Sequence, residues 1–169
     1  MGRSVRGPGV VQRKVNRLLN IFYQHHCMTE KQITLIKNSW KLLRKIDPVL
    51  IGDVFYSKLF IDLPQVAHLF KTPRPQQSEK LIAMISLIVS RLHNLDELNK
   101  EIEELAVRHV SYGAKPEHYA AIGKALLWTL ERGLGYDWNT ELEQAWQACY
   151  AMLSATMIKA AGYTSKTFR

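Results

Sequence analysis

Three side chains in this sequence combine a type and a position that suit chemistry on a small molecule: His109, Tyr56 and Gln77. His109 lies in line with Ile102, Leu105 and Ala106 in a helical stretch from Glu101 to Val110, so its imidazole is aimed where a core should be. A neutral imidazole can donate through one ring nitrogen and keep a lone pair on the other, which is what a metal ligand requires. Gln77 and Leu81 share a face of another helical stretch, and Phe55, Tyr56, Leu59 and Phe60 group on a third. A Tyr hydroxyl and a Gln amide both donate hydrogen bonds to a polar ligand. Each residue also has a plain alternative. An isolated His on an apolar face is usually a core His bonded to a carbonyl. An isolated Tyr is usually a core filler with a satisfied hydroxyl, and an isolated Gln a solvated residue near a helix start. Phe70, Leu81, Trp40 and Trp146 would be core in any helical protein, and Trp128 and Trp138 carry no signal. His25, His26, His68, His93 and His118 lack the setting of His109 and read as surface or structural residues.

The elements that must position these groups all read as helices. Thr29-Glu30-Lys31-Gln32 is a capping-box pattern opening a helix with apolar Ile33, Ile36, Trp40 and Leu43. Asp47-Pro48 marks the next start, with Asp as the cap and Pro at the first helical position, and this helix carries Gly52 and Tyr56 to about Ile61. Leu63-Pro64 begins a short helical turn ending at Phe70. Thr72-Pro73-Arg74-Pro75 reads as a corner, because each proline disfavours helix at the residue before it. A long helix is expected from Gln76 to Asn94, with Leu81, Met84, Ile85, Ile88 and Leu92 inward. The His109 helix and a break at Ser111 to Lys115 come next. Pro116 then opens a helix to about Arg132, ended by Gly133 and Gly135. Thr140-Glu141-Leu142-Glu143 is a second capping-box pattern, opening the last helix through Trp146, Tyr150, Leu153 and Met157. No run alternates with period two for long enough to make a strand, and there are no internal repeats. The fold class is all-α.

Composition fits a globular chain with one core: 169 residues, 47% hydrophobic and 22% charged. The longest apolar run, Leu81 to Val89, is far below the roughly 20 residues that span a bilayer. Cys27 and Cys149 offer neither a disulfide framework nor a metal-ligand spacing, which suits reduced thiols and a cytoplasmic setting. The net charge of +8 is concentrated in residues 1–28, which hold Arg3, Arg6, Arg13, Lys14 and Arg17 and no acid. Without those five, 18 of the 23 basic residues face 15 acidic ones, and no basic face with interleaved aromatics marks a nucleic-acid footprint. Within this extension Gly2 to Gly9 has a disordered composition. Val11 to Tyr23 can form a basic amphipathic helix with Val15, Leu18, Leu19 and Phe22 on one face, suited to a membrane surface or a partner. It equally reads as a flexible extension or as the product of an early start codon, since Met28-Thr29-Glu30 is a natural start. The expected organisation is a basic extension over 1–28, one domain over 29–163 and a tail over 164–169.

A buried imidazole opposite a Gln and a Tyr, inside an all-helical chain, is what a haem pocket needs. One side supplies the iron ligand and the other supplies hydrogen bonds to a bound gas. The order of elements over 29–162 resembles the globin fold, a helical sandwich of about seven to eight helices. Phe70, just before the corner, matches the aromatic that wedges against the haem edge. His109, in the Arg108-His109 pair, matches the proximal iron ligand. Gly52, one turn before Tyr56, and Ser78 match small residues where two globin helices cross closely. The closer resemblance is to bacterial single-domain globins and the haem domain of flavohaemoglobins. There Phe55-Tyr56 and Gln77-Ser78-Glu79-Lys80-Leu81 match the distal Tyr, the distal Gln and the following Leu, and Tyr119 and Tyr150 match two proximal-side tyrosines. The short corner from Phe70-Lys71-Thr72-Pro73 to Gln77 looks most like that of thermoacidophile methanotroph globins.

The resemblance implies haem b held through His109, without covalent attachment, since no Cys-x-x-Cys-His motif is present. Phe70, Tyr119 and Tyr150 would contact the cofactor, and Tyr56, Gln77 and Leu81 would line the distal side. Donors at Tyr56 and Gln77 imply tight dioxygen binding with slow release, because a hydrogen bond to a charged acceptor contributes about 1.5–3 kcal/mol and about 1.4 kcal/mol is tenfold in affinity. This suits oxygen scavenging. The same pocket would serve nitric oxide dioxygenation with a separate reductase, and a haem-based gas sensor is a third reading. The chain departs from flavohaemoglobins at Ala161, eleven residues past Tyr150, where they carry a glutamate that hydrogen-bonds toward the proximal His. The imidazole then pushes less electron density onto iron, which weakens a peroxidase-like reading. The last residue is Arg169, so no flavin or nicotinamide domain is expected after it, and electrons would come from a separate donor.

Overall fold

Thr29 caps the first helix as its pattern predicts. Its hydroxyl accepts from the Gln32 amide at 3.2 Å, and the Gln32 side chain accepts from the Thr29 amide at 2.9 Å. The computed structural model describes residues 28–162. In these residues the capped helix, α1 (Glu30–Leu43), is followed by α2 (Pro48–Asp62), α3 (Arg74–Ser90), α4 (Asn99–Ser111), α5 (Pro116–Leu134) and α6 (Thr140–Ala160). Short 3-10 segments, Pro64–Leu69, Leu95–Leu98 and Gly135–Asp137, link successive helices. No strand occurs among the described residues, and none of their helices is long and apolar enough to cross a membrane. The basic segment, with its expected helix at Val11 to Tyr23, lies outside them, as do residues 163–169.

Several boundaries differ from the sequence reading, the end of α3 at Ser90 rather than Asn94 among them, and three have a local reason. Helix α3 begins at Arg74 rather than Gln76, with Pro75 inside its first turn. Proline is tolerated there because the first four amides of a helix have no partner to lose. Helix α5 runs through Gly133 to Leu134 and stops at Gly135, whose φ of 55° leaves the helical region. The cap of α6 is Asn139, whose Oδ1 accepts from the Leu142 amide at 3.0 Å, so Thr140 is the first helical residue and not the cap. The inward face of α3 is also rotated from the expected stripe. Ser78, Ile82, Ile85 and Val89 are its buried residues, while Leu81, Met84 and Ile88 are only half-buried.

The packing that matters for the site is the crossing of α2 and α3. Gly52 is buried on α2 against Ser78 on α3, and a β-carbon at Gly52 would sit 2.6 Å from the Ser78 Cα. Only a residue without a side chain allows that approach. The Ser78 hydroxyl meets its own need by donating to the Arg74 carbonyl at 2.9 Å. A second tie joins α1, α3 and α6. Trp40 and Trp146 meet edge to face with ring centroids 5.9 Å apart. Their indole N–H groups donate to Ser86 and Ser39 hydroxyls, both at 3.1 Å, and Ser39 passes the bond on to the Ile36 carbonyl at 2.9 Å. Both tryptophans are therefore core with satisfied polar tips.

Candidate functional site

The α2–α3 crossing sets Tyr56 beside Gln77. Tyr56 sits one helical turn after Gly52, and Gln77 immediately precedes Ser78, so the close approach of those small residues draws the two donors together. They line a cavity of about 200 Å³ with Phe60, Phe70, Thr72 and Arg74. That is far more than the ~10–15 Å³ one water needs. Phe55, Phe60 and Phe70 pack round the Tyr56 ring with centroids 4.9, 5.9 and 5.2 Å away, which holds the phenol in place. Its hydroxyl is held less firmly. It donates to the Gln77 main-chain carbonyl at 3.5 Å, at the outer limit of a hydrogen bond. Burial raises the Tyr56 pKa above its ordinary value, against smaller lowering influences from the Gln77 side chain and Arg74, so the group stays protonated and can donate.

His109 lies on α4, half-buried, beyond the buried Ile102 and Ala106 of the same helix. Its Nδ1–H donates to the Leu105 carbonyl at 2.8 Å, one turn earlier. A carbonyl can only accept, so this bond fixes the tautomer and leaves Nε2 with its lone pair. Burial lowers the His109 pKa below its ordinary value and the Arg108 charge adds to this, outweighing the opposite effect of the Leu105 bond. The ring is therefore neutral at neutral pH. Among the described residues no ion pair joins His109 to a carboxylate. The neutral, oriented imidazole has the donor chemistry that would hold haem iron.

The other sequence candidates separate. Phe70 joins the Tyr56 cavity. Leu81 packs against both hydrophobic clusters but lines neither cavity. Tyr150 borders a second, apolar space of about 30 Å³ with Ile88, Leu126 and Leu153, and its hydroxyl donates to the Tyr119 carbonyl at 2.6 Å. Gly123 makes room for this ring, since a β-carbon there would lie 2.8 Å from the Tyr150 Cδ1. His109 lines neither space. Among the remaining histidines, His68 is exposed, His93 lies 3.5 Å from Glu30, and His118 accepts from the Lys115 amide at 3.2 Å.

Sequence reasoning missed Thr72 and Arg74 at the cavity. The signal was present: Arg74 lies three residues before Gln77, on the same helical face, but the flanking prolines made the segment read as a corner.

With this geometry in hand, the comparisons place the chain. Residues 53–157 match the family model for Globin, and the chain belongs to the globin family. It is a bacterial globin in its likeness, resembling the flavohaemoproteins: it is 32% identical to a flavohemoprotein of Vibrio cholerae over 139 residues, 80% of this chain but 35% of that protein. The chain thus spans about a third of the length of that relative. In fold it is similar to a bacterial globin from Campylobacter jejuni, with a TM-score of 0.71 and 24% identity, covering 80% of this chain and 98% of that one. It is also similar to an engineered carbene transferase from Rhodothermus marinus, assigned as a nitric oxide dioxygenase, with a TM-score of 0.73 and 23% identity over 81% of this chain and 95% of that one.

Proposed function

We propose that this protein binds dioxygen tightly at a haem, with Tyr56 and Gln77 as distal hydrogen-bond donors. Haem is the cofactor that membership of the globin family brings to this chain. When bound and ferrous, it supplies reversible coordination of diatomic gases. The protein's part is orientation and polarity. His109 would hold the haem iron through Nε2, while the Leu105 carbonyl keeps its ring from turning. Phe70 presents its ring from the cavity wall, and Leu81, Tyr119 and Tyr150 are assigned to the surroundings of the cofactor. Tyr56 and Gln77 would supply hydrogen bonds to a bound gas from the cavity wall. The observation that carries this reading is the presence of both donors on one cavity, with the Tyr56 hydroxyl only loosely committed to protein.

The test is the oxygen dissociation rate of the ferrous protein by stopped flow. Tyr56→Phe should raise it about tenfold or more. Gln77→Leu should act in the same direction, and the double variant should be non-additive because both groups address one atom. An unchanged rate in Tyr56→Phe refutes tight binding through this pair. Scavenging of oxygen is the role this affinity suits.

The second reading is nitric oxide dioxygenation with a separate reductase, the activity assigned to the Rhodothermus marinus protein whose fold this chain shares. Tyr56 and Gln77 would serve it from the same positions. A cytoplasmic location belongs to both readings.

A further inference from the structure

Helix α2 is apolar on two sides. One side carries Phe55, Tyr56 and Leu59 into the core. On another, Leu50, Val54, Ser57 and Ile61 recur at helical spacing and form one stripe along the helix. A solvent-facing stripe is normally polar, yet Ser57 is the polar member here. Leu50 is 58% exposed and Ile61 76%. Across the seam with α5 stands the half-buried Trp128, with the Lys58 ammonium 5.7 Å and the Arg132 guanidinium carbon 5.4 Å from its ring centre. Lys124 is exposed one turn before Trp128. Beyond Arg132 the helix meets the end of α1, since a β-carbon at Gly133 would lie 2.5 Å from the Leu43 Cδ2, and the exposed Arg44 and Lys45 follow Leu43 there. The acids of α2 and its cap are engaged: Asp62 pairs with Lys58 at 2.8 Å, Asp53 with Arg74 at 3.4 Å, and Asp47 accepts from the Val49 amide at 2.8 Å. Arg44, Lys45, Lys124 and Arg132 make no ion pair among the described residues. The result is an exposed apolar stripe bordered by cations.

We propose that this outer face of α2, with Trp128 beside it, docks on a membrane surface rich in anionic phospholipid. Leu50 and Ile61 enter the boundary between headgroups and acyl chains. Trp128 stays at headgroup depth, where an indole keeps its apolar body in and its N–H wet, and the cations around it meet lipid phosphates. Charge and apolar surface together select this occupant. A second copy meeting the same face across a two-fold axis would set cation against cation. A nucleic acid would answer the cations and leave Leu50 and Ile61 without an apolar partner.

The experiment is co-sedimentation of the full chain with vesicles of phosphatidylcholine alone and of equal parts phosphatidylcholine and phosphatidylglycerol, at low and high salt. Binding should require phosphatidylglycerol and weaken with salt. The double variant Leu50→Gln, Ile61→Gln should bind the anionic vesicles at least about tenfold more weakly. Lys124→Gln with Arg132→Gln should weaken binding by about tenfold as well. Both pairs change exposed side chains, so circular dichroism should match the wild type and a loss of binding cannot be a loss of fold. Absence of vesicle binding overturns the proposal. Binding that both double variants retain in full also overturns it and moves the contact elsewhere, as to the basic extension over 1–28. A loss confined to the charge variant overturns docking through the apolar stripe. No vesicle binding together with a dimer, seen by sedimentation velocity and dissolved by Ile61→Gln, gives the face to a second copy instead.

Discussion

The His109 Nδ1–H donates to the Leu105 carbonyl at 2.8 Å, so the histidine is oriented by its own helix and not by a carboxylate from elsewhere. The bond is local, one helical turn long, and forms whenever α4 forms. Its consequence is an oriented ring with a free Nε2, while burial is what keeps the ring neutral. His109→Ala should therefore leave the helices intact by circular dichroism and abolish most haem retention. Full retention with unaltered ferric and ferrous spectra would show that another residue binds the iron.

The Gly52–Ser78 contact makes a prediction about stability. Gly52→Val places branched carbon where Ser78 already stands, and the helices must separate. Overpacking of this kind costs ~1–3 kcal/mol. The midpoint of urea denaturation should fall accordingly. The same shift should disturb the distal pair, because Tyr56 and Gln77 flank the crossing.

Alkaline pH should weaken the fold through Tyr150. Burial, and next to it the charge of Tyr119, raises its pKa well above the ordinary value near 10. In the unfolded chain Tyr150 loses its proton above pH ~10 while the folded protein keeps it. The native state then holds more protons, so stability falls as pH rises past that point, by up to about 1.4 kcal/mol per pH unit for the group. Tyr150→Phe should be less stable at neutral pH by about 1 kcal/mol, for its lost bond to the Tyr119 carbonyl. Its denaturation midpoint should decline less steeply between pH 9 and 11 than that of the wild type. Parallel declines would show that Tyr150 ionises freely in the fold.

Cys149 should be chemically silent in the native protein. Burial pushes its thiol up to about 12, so almost no thiolate exists at neutral pH, and the sulfur is shielded as well. Iodoacetamide at pH 8 should label it only after denaturation in guanidinium, as read by peptide mass spectrometry. Rapid labelling of the native protein would mean that α6 opens readily from the core.

The helices were legible along the chain because their causes are local or periodic. The capping box at Thr29 and the Asp47-Pro48 start depend on neighbours within a single turn, and both occur as the residues dictate. His109 was legible for the same reason, since its position follows Ile102 and Ala106 by helical spacing. Tyr56 and Gln77 are joined in the sequence by the family resemblance, not by spacing. What lay beyond the sequence arises from contacts between distant residues. The rotation of α3 that buries Ile82 and Val89 in place of Leu81 and Ile88 is decided by where α2 crosses it. The Tyr150–Tyr119 bond spans two helices and needs the space left by Gly123. Arg74 stayed hidden longest. Two prolines disguised its helix, and the burial of its Nη1 without a hydrogen bond exists only once Phe60, Tyr56 and Asp53 are folded around it. Periodicity tells which face of a helix turns inward, but only the packing of one helix on another decides which groups share a cavity and which of them go unsatisfied there.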